Sequence, residues 1–251
     1  MTFFAKKLSS ELRASGISLL RFRERTENQF SRALAGAPDG VLLQHSRDTL
    51  GWLEKAKQLS GNNCVWLIGH SEGAVLAVYF GAGRADICGY VLLAPPGRGM
   101  YALLRSQFES YRFPPAMLAD LTAALDAILR TEGPLSFEDS MRADLFVTGV
   151  QRRLLHSTMK IKPADLLATD PHRALVILGS SDVQISKADV DVLSTLPTVQ
   201  IHELPGLNHY FMPVTGLSVQ DARRSYLDSN RQIDTRVIWL ISQFINGAIH
   251  Y

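Results

Sequence analysis

The stretch Val65–Gly73, VWLIGHSEG, carries the most information about this chain. Its apolar first half predicts a buried strand, and the small residues Ala74 and Ala77 that follow favour a helix. The glycines around Ser71 form the pattern G-x-S-x-G, which is typical of a sharp strand-to-helix turn that presents a serine nucleophile. The stretch therefore predicts a serine that stands at one edge of a sheet.

Such a turn makes specific demands on the residues beside the serine. We expect the Ser71 backbone to be strained, and Gly69 and Gly73 to be glycines because a Cβ at either position would clash with the adjoining strand and helix. The hydroxyl would lie above the N-terminus of the next helix. There the helix dipole and the backbone N–H of Glu72 would face an oxyanion.

The pentapeptide alone does not separate a nucleophile from an idle serine in a glycine turn, because short motifs recur by chance. Two further strand patterns supply the missing partners. Ala174–Gly179 is followed by Asp182, and Val199–Leu204 is followed by His209. Each of the three residues thus lies just past the C-terminal end of a predicted strand, the edge where α/β sheets gather catalytic groups.

The order of these residues along the chain is serine, acid, histidine. In the predicted mechanism Ser71 attacks, His209 takes the serine proton, and Asp182 orients the imidazole and stabilises its charged form. This order is that of the α/β-hydrolases and differs from the orders of the two other well-known Ser-His-Asp triads.

With these segments the chain resembles the α/β-hydrolase superfamily. It is most similar to the carboxylesterase-like and serine aminopeptidase-like group, whose elbow is G-H-S-E-G and whose acid lies in a G-x-x-D-V-Q segment, here Gly179–Gln184. Leu204–His209 resembles the histidine loop of that group, and Pro163–Leu167 resembles the segment before its acid strand. The resemblance implies an α/β fold with a mostly parallel sheet flanked by helices, formed by residues 1–96 and 173–251, and a helical cap insertion at residues 97–172.

The remaining elements are predicted from the spacing of apolar residues and from helix-end signals. The strand after the elbow helix is Tyr90–Leu93, and the insertion that follows has a helical pattern throughout. Near the N-terminus we predict a helix that ends at Gly16, with Phe4, Leu8 and Leu12 inward, then a strand at Ile17–Phe22 and a loop at 23–42. Ser46 is predicted to cap a helix that runs to about Leu59, with Leu50, Leu53 and Ala56 inward.

Two later helices are also predicted. An amphipathic helix lies between Pro114-Pro115 and Gly133-Pro134, with its apolar face formed by Leu118, Leu121, Leu125, Ile128 and Leu129. The last helix, Ile233–Ile245, buries Val237, Leu240, Ile241 and Phe244.

The resemblance also implies a departure at the N-terminus. Family members have several strands before their first long helix, and the loop after the last of these strands supplies a second oxyanion donor. Residues 1–12 resemble that helix and Ile17–Phe22 resembles the strand after it, so we expect the first strands and the oxyanion loop to be missing. Three arrangements stay open: the strands at 17–22 and 65–70 pair directly, the natural protein is longer, or a partner segment completes the sheet.

Other residues compete for the catalytic roles. His70 fills the variable position of the elbow and is interpreted as packing support, and Glu72 as structural or substrate-shaping and not a proton donor. Asp189 forms a capping box with Ser186 at the start of a helix that also contains Asp191. The remaining histidines are interpreted as surface or packing residues: His45, His156, His172, His202 and His250.

Composition favours a soluble enzyme of one domain with an insertion. Of the 251 residues, 46% are hydrophobic and 20% charged, with a net charge of +2. No lysine or arginine cluster predicts nucleic-acid binding, and the longest apolar runs are too short to span a membrane. The first residues do not form a signal peptide, so we expect a cytoplasmic protein. We expect no cofactor and no metal; the oligomeric state is left open.

Two cysteines, Cys64 and Cys88, open consecutive predicted strands. They could lie near each other in a parallel sheet. Because a cytoplasmic protein is expected, we interpret them as two buried free thiols.

The function hypothesis is a serine hydrolase that acts on small acyl esters through an acyl-enzyme on Ser71. A thioesterase or a peptidase-like acyl hydrolase would use the same triad. A catalytically silent hydrolase-fold protein that binds a ligand or partner is the alternative of another class, motivated by the missing oxyanion loop. Tyr101, Phe108 and Phe146 either line an acyl pocket or merely pack on the sheet edge.

Overall fold

A computed structural model describes residues 3–22, 40–131, 135–145, 147, 149–214 and 232–247. Within the described residues, helices and strands alternate from residue 40 to residue 93 and again from residue 174 onward, and only helices lie between these two stretches. The helices are α1 (Phe3–Ala14), α2 (Gly40–Ser60), α3 (Glu72–Gly81), α4 (Met100–Ser110), α5 (Pro115–Arg130), α6 (Phe137–Ala143), α7 (Gly149–Met159), α8 (Pro163–Leu167), α9 (Lys187–Ser194) and α10 (Thr235–Ile245), and the strands are β1 (Val65–His70), β2 (Ile87–Leu93), β3 (Ala174–Gly179) and β4 (Val199–Leu204).

The described strands form one four-stranded parallel sheet in the order β1-β2-β3-β4. The last residue of β1, His70, pairs with Leu93 at the end of β2, and Gly179 at the end of β3 pairs with Leu204 at the end of β4. The segments that leave these strands therefore emerge at one edge of the sheet. The predicted α/β class with a parallel sheet is confirmed, and β3 and β4 have the predicted bounds.

Helices cover both faces of the sheet. Successive residues of a strand point to opposite faces, and the neighbours of β1 illustrate this. The Trp66 ring lies 5.3 Å from the Phe244 ring of α10, whereas a Cβ on Gly81 of α3 would lie 2.8 Å from the Leu67 side chain. Thus α10 and α3 pack on opposite faces, and between such layers β3 is fully buried and β2 is buried at every residue except the half-buried Cys88.

The first helix is confirmed, but the strand predicted after it is not. Phe4, Leu8 and Leu12 are buried, and α1 ends in a Schellman motif in which Gly16, with φ 83°, follows the helix and the N–H of Ile17 donates to the Leu12 carbonyl. Residues 17–22 belong to no strand. Instead, Ile17 and Leu19 pack against the core, so the apolar alternation that predicted a strand reflects packing without sheet pairing.

The second helix begins earlier than its predicted cap. α2 starts at Gly40, and Ser46 lies inside it with its hydroxyl donating to the Leu42 carbonyl, so the prediction of Ser46 as an N-cap is wrong. Leu53 is buried, Ala56 is half-buried, and Leu50 is 37% exposed. Of the predicted loop at 23–42, the last three residues are helical, and residues 23–39 lie outside the described part of the chain.

The described residues between 97 and 172 form helices α4 to α8, as their apolar spacing predicted. Pro115 opens α5, and Leu121, Leu125 and Ile128 are buried. Phe108 is buried and Tyr101 is half-buried, with its hydroxyl donating to Asp126 at 2.6 Å. Gly133, Pro134 and Phe146 lie outside the described residues. That the insertion acts as a cap stays a prediction.

The last helix is confirmed over most of its predicted range. It begins at Thr235 because the Asp234 side chain accepts the backbone N–H of Arg236 as an N-cap, and its predicted apolar face is buried. No helix in the described part of the chain is long and apolar enough to cross a membrane.

Cys64 and Cys88 form a disulfide, so the prediction of two free thiols is wrong. The parallel pairing of β1 with β2 brings the starts of both strands together, with Cα atoms of the two cysteines 5.2 Å apart. This separation suits a disulfide. The bond lies at the opposite edge of the sheet from Ser71.

Candidate active site

Ser71 occupies the sharp turn between β1 and α3. Its φ of 54° and ψ of −124° lie in a region that residues with a side chain rarely adopt. The Ser71 N–H donates to the Leu93 carbonyl at 2.9 Å, and the Ser71 carbonyl accepts the N–H of Ala74 at 2.9 Å. These two hydrogen bonds hold the strained residue at the C-terminal edge of the sheet, as the motif predicted for the backbone.

The two elbow glycines differ in whether the structure leaves room for a side chain. A Cβ on Gly69 would lie 2.4 Å from the Gly73 carbonyl oxygen and 2.6 Å from the Ala74 Cα, so the strand and helix meet too closely for any other residue. A Cβ on Gly73 would have nothing within 4 Å. The predicted clash is therefore present at Gly69, and the prediction for Gly73 is wrong because its Cα faces open space.

Glu72 is the first residue of α3, beside the nucleophile. At this position its backbone N–H belongs to the first turn, where helices lack intrahelical acceptors and the dipole favours negative charge. Its carboxylate accepts the hydroxyl of Thr158, a fully buried residue of α7, at 3.2 Å. This contact links the start of α3 to the helical insertion and fits a structural role for the Glu72 side chain.

Asp182 and His209 form a buried pair. Asp182 Oδ2 lies 2.8 Å from His209 Nδ1, and both side chains are 3% exposed. Asp182 Oδ1 accepts the backbone N–H of Gln184 at 2.7 Å and of Ile185 at 3.2 Å. Since a carboxylate accepts only, the pair assigns the proton to Nδ1 of neutral His209 and leaves Nε2 as an acceptor.

The histidine loop is held in shape by its own backbone contacts. Asn208 Oδ1 accepts the N–H of Tyr210 at 2.9 Å and of Met212 at 3.0 Å, and Phe211 has a φ of 57°. A Cβ on Gly179, at the end of β3, would lie 2.2 Å from the Leu207 carbonyl oxygen. Such close approach keeps the histidine loop against the strand that delivers Asp182.

His70 contacts this loop directly. Its Nε2 lies 2.9 Å from the carbonyl oxygen of His209, so Nε2–H donates, and the two imidazole rings are 4.7 Å apart. Burial, together with the nearby His209, lowers the pKa of His70 to about 3. This contact goes beyond the packing role predicted from the sequence, because no local pattern reveals a bond to a residue so far along the chain.

Within the described residues, no hydrogen bond joins the Ser71 hydroxyl to the His209 imidazole. The structure thus brings Asp182 and His209 into contact and places His209 against the residue that precedes Ser71. Hydrogen bonds between a catalytic base and its nucleophile are often loose without substrate. The catalytic roles of the three residues stay predictions.

The insertion is anchored to the segment that carries Asp182. Arg98, at the start of the insertion, binds the fully buried Asp189 through Nε at 3.2 Å, and Gln107 of α4 donates to the Gln184 carbonyl at 3.2 Å. The predicted capping box of Ser186 and Asp189 is present at the start of α9. The sequence indicated the capping box but not Arg98, whose partner lies on a distant segment.

Two of the other described histidines make hydrogen bonds within the fold. His156 is buried with Nδ1 2.6 Å from the Ile128 carbonyl, and His172 contacts Asp170 at the opposite edge of the sheet. His250 lies outside the described residues. In the part of the chain that the structure describes, no group of three or more His, Cys, Asp or Glu side chains could hold a metal ion.

Comparisons with known proteins agree with this architecture. A sequence model described as the alpha/beta hydrolase family matches residues 18–215. VinJ has a similar structure, with a TM-score of 0.54 at 14% identity, over 99% of this chain and 87% of that chain. Est1E from Butyrivibrio proteoclasticus, solved with bound ferulic acid, has a TM-score of 0.50 at 14% identity, over 83% and 69% of the two chains.

A third structure, the serine hydrolase CCSP0084 from Cycloclasticus zankles, has a TM-score of 0.45 at 16% identity, over 86% of this chain and 76% of that chain. At identities of 14%, the likeness to VinJ and Est1E shows the fold alone. No curated protein sequence matches the chain.

Proposed function

Because the chain belongs to the alpha/beta hydrolase family, we propose that it is a serine hydrolase that cleaves small carboxylic esters through an acyl-enzyme on Ser71. One observation supports this most: the buried Asp182–His209 pair, at 2.8 Å, lies at the same sheet edge as the strained turn that presents Ser71. An Asp–His pair with a buried carboxylate is not distinctive by itself, since Asp170 and His172 form another one; the position of Asp182–His209 at the sheet edge that carries Ser71 is what favours catalysis.

The proposed reaction proceeds in two halves. Ser71 Oγ attacks the ester carbonyl carbon while His209 Nε2 accepts the hydroxyl proton, and Asp182 stabilises the resulting imidazolium through Nδ1–H. The tetrahedral intermediate collapses, the C–O bond to the leaving alcohol breaks, and His209 donates its proton to that oxygen. Water then attacks the acyl-enzyme with His209 again as base, which releases the acid and restores Ser71.

The negative charge that forms on the carbonyl oxygen needs donors. We assign the backbone N–H of Glu72, because it follows the nucleophile and opens α3, whose dipole points its positive end toward Ser71. Loss of a single donor in such a site costs roughly 100- to 1000-fold in turnover. A Pro at position 72 would remove this N–H, but it would also remove the contact with Thr158.

A second candidate function is a protein that binds a ligand without turning it over. The absence of a hydrogen bond between Ser71 and His209 within the described residues favours it. Thioesters and amides are alternative substrates for the same triad, since the groups assigned here act on the carbonyl and not on a particular leaving atom.

A fluorophosphonate probe and p-nitrophenyl esters test the proposal together. We expect covalent labelling of Ser71 and hydrolysis of p-nitrophenyl acetate, both abolished in Ser71→Ala. Ser194→Ala, which changes an exposed serine of α9, is the matched control and should retain both. A folded wild-type protein that is neither labelled nor active would contradict the hydrolase and support the binding protein.

The substrate class is resolved with matched acyl compounds. An acetyl thioester and an acetyl anilide are compared with the ester at equal concentration, and the ester should have the highest kcat/KM. A higher kcat/KM for the thioester or the anilide would replace the ester in the proposal without changing the role of Ser71.

A further inference from the structure

We propose that His70 is a positioning residue, whose imidazole holds the backbone of His209 at a fixed distance from Ser71. The proposal rests on the serine hydrolase function above. His70 directly precedes Ser71 in the chain, and its Nε2–H donates to the carbonyl oxygen of His209 at 2.9 Å. One side chain therefore connects the peptide that carries the nucleophile to the peptide that carries the base.

His209 has two anchors that come from different strands. Asp182, after β3, holds the ring through Nδ1 at 2.8 Å, whereas His70, at the end of β1, holds the main chain. Ser181, also after β3, donates its N–H to the Leu207 carbonyl at 2.9 Å. Loss of the His70 anchor would leave the histidine loop attached to β3 while its distance from Ser71 on β1 became less defined.

Aromatic side chains fix the orientation of the His70 ring. The ring of Phe4, a buried residue of α1, lies 4.6 Å from it, and those of Tyr210 and Phe211 lie 5.2 and 6.3 Å away. A ring enclosed in this way has few alternative rotamers. The position of α1 thus contributes to the geometry of the active site.

The same surroundings keep His70 neutral. Burial, together with the nearby His209, lowers its pKa to about 3, although the hydrogen bond to the His209 carbonyl and the charge of Asp182 act in the opposite direction. A neutral ring with its proton on Nε2 donates to the carbonyl and adds no positive charge beside the imidazolium that forms on His209 during the reaction.

Two substitutions separate the donor from the packing. His70→Phe keeps an aromatic ring but removes the donor, whereas His70→Gln can place an amide N–H close to the position of Nε2. We expect His70→Phe to lower kcat on p-nitrophenyl acetate by roughly 10- to 100-fold with KM nearly unchanged, because small misplacements of reacting groups cost about that much. His70→Gln should recover most of the kcat.

His156→Phe is the matched control. The ring nitrogen of the buried His156 likewise bonds a backbone carbonyl, that of Ile128, but this hydrogen bond joins α7 to α5 and involves neither Ser71 nor His209. Both Phe variants remove one such hydrogen bond and should lower the melting temperature, yet only His70→Phe should lower kcat. Equal kcat in folded His70→Phe and wild type would overturn the proposal, and so would a His70→Gln variant as impaired as His70→Phe.

An NMR measurement keeps the proposal testable without turnover. In ¹⁵N-histidine-labelled wild-type protein, His70 should show the neutral Nε2–H tautomer throughout the range from about pH 5 to pH 9. A His70 that titrates near neutral pH, or that carries its proton on Nδ1, would contradict the proposal. If the wild-type protein shows the expected tautomer but hydrolyses no ester, the proposed hydrolase function is wrong and the hydrogen bond of His70 is still supported. If wild type and His70→Phe hydrolyse esters with equal kcat, only the positioning role of His70 is wrong.

Discussion

Asp182 divides its two carboxylate oxygens between His209 and its own loop. Oδ2 lies 2.8 Å from His209 Nδ1, and Oδ1 accepts the backbone N–H of Gln184 at 2.7 Å and of Ile185 at 3.2 Å. The backbone bonds prevent the carboxylate from rotating, so Oδ2 stays with His209 and Oδ1 with the two backbone N–H groups. A substitution at position 182 can therefore keep the oxygen that accepts the backbone N–H groups while it changes the group that faces His209.

Asp182→Asn should lower kcat by about 10³- to 10⁴-fold with little loss of stability. The amide oxygen can still accept the backbone N–H groups, which leaves the amide NH₂ to face Nδ1. His209 must then carry its proton on Nε2 and cannot accept the proton of Ser71. Steady-state kinetics on p-nitrophenyl acetate and thermal melting measure the two effects. A kcat within about tenfold of wild type would show that Asp182 does not set the tautomer.

Gly69→Ala should destabilise the fold by about 3 kcal/mol or more, because the added Cβ would meet the Gly73 carbonyl oxygen at 2.4 Å and backbone atoms cannot move aside cheaply. Gly73→Ala is the matched substitution two residues along. Its Cβ meets nothing within 4 Å, and alanine favours a helix by about 0.5–1 kcal/mol over glycine. Urea unfolding measures the free energy of unfolding of both variants. A Gly73→Ala variant as unstable as Gly69→Ala would contradict the predicted difference between the two positions.

The disulfide between Cys64 and Cys88 should stabilise the protein. The bond closes a loop with a sequence separation of 24 residues, for which we expect about 2–4 kcal/mol. The double variant Cys64→Ser, Cys88→Ser should lose that much in urea unfolding and keep its esterase activity under native conditions. Alkylation of the denatured, unreduced protein should modify neither cysteine; two alkylated thiols would contradict the bond.

Asp170 should make stability depend on pH through a network far from Ser71. Its buried carboxylate accepts the Tyr90 hydroxyl at 2.8 Å and the backbone N–H of His172 at 2.9 Å and of Gly83 at 3.2 Å. Burial raises the pKa of Asp170, but these hydrogen bonds and that of the His172 ring outweigh it and hold the pKa below 3.8. The ionised form is thus favoured by folding.

A depressed folded-state pKa contributes stability above the unfolded value of 3.8 and loses it as the pH falls through the folded value. Asp170→Asn should therefore be less stable than wild type by about 1–3 kcal/mol near neutral pH, and the difference should shrink below pH 3.8. Urea unfolding across this range measures it. A difference that stays constant or grows as the pH falls would disprove the assigned sign. Esterase activity at neutral pH should be unchanged.

Local patterns predicted much of this fold. The bounds of β3 and β4, the buried face of α1 and the capping box at Ser186 each depend on residues within one element or a few positions of it. Such elements are encoded by periodicity and by end signals, which a single sequence displays directly.

Two of the failures have a different origin. Residues 17–22 are rich in apolar residues but pack against the core without a strand, and Cys64 meets Cys88 because β1 pairs with β2. In both cases a contact with a distant segment decides the outcome, whereas Ser46 lies within α2 because that helix begins earlier, at Gly40. Composition and spacing carry no record of which of several distant segments will pack together.

By itself, then, the sequence determined which residues are candidates for the proposed acyl transfer: a serine in a glycine turn, and an acid and a histidine after later strands. Only the tertiary structure decided how they are held, with Asp182 bonded to the ring of His209, His70 bonded to its main chain, and Arg98 bonded to the helix after the acid. The reason is physical: strand ends converge because parallel strands share one direction, but hydrogen bonds between their loops form only where folding brings donor and acceptor within about 3 Å.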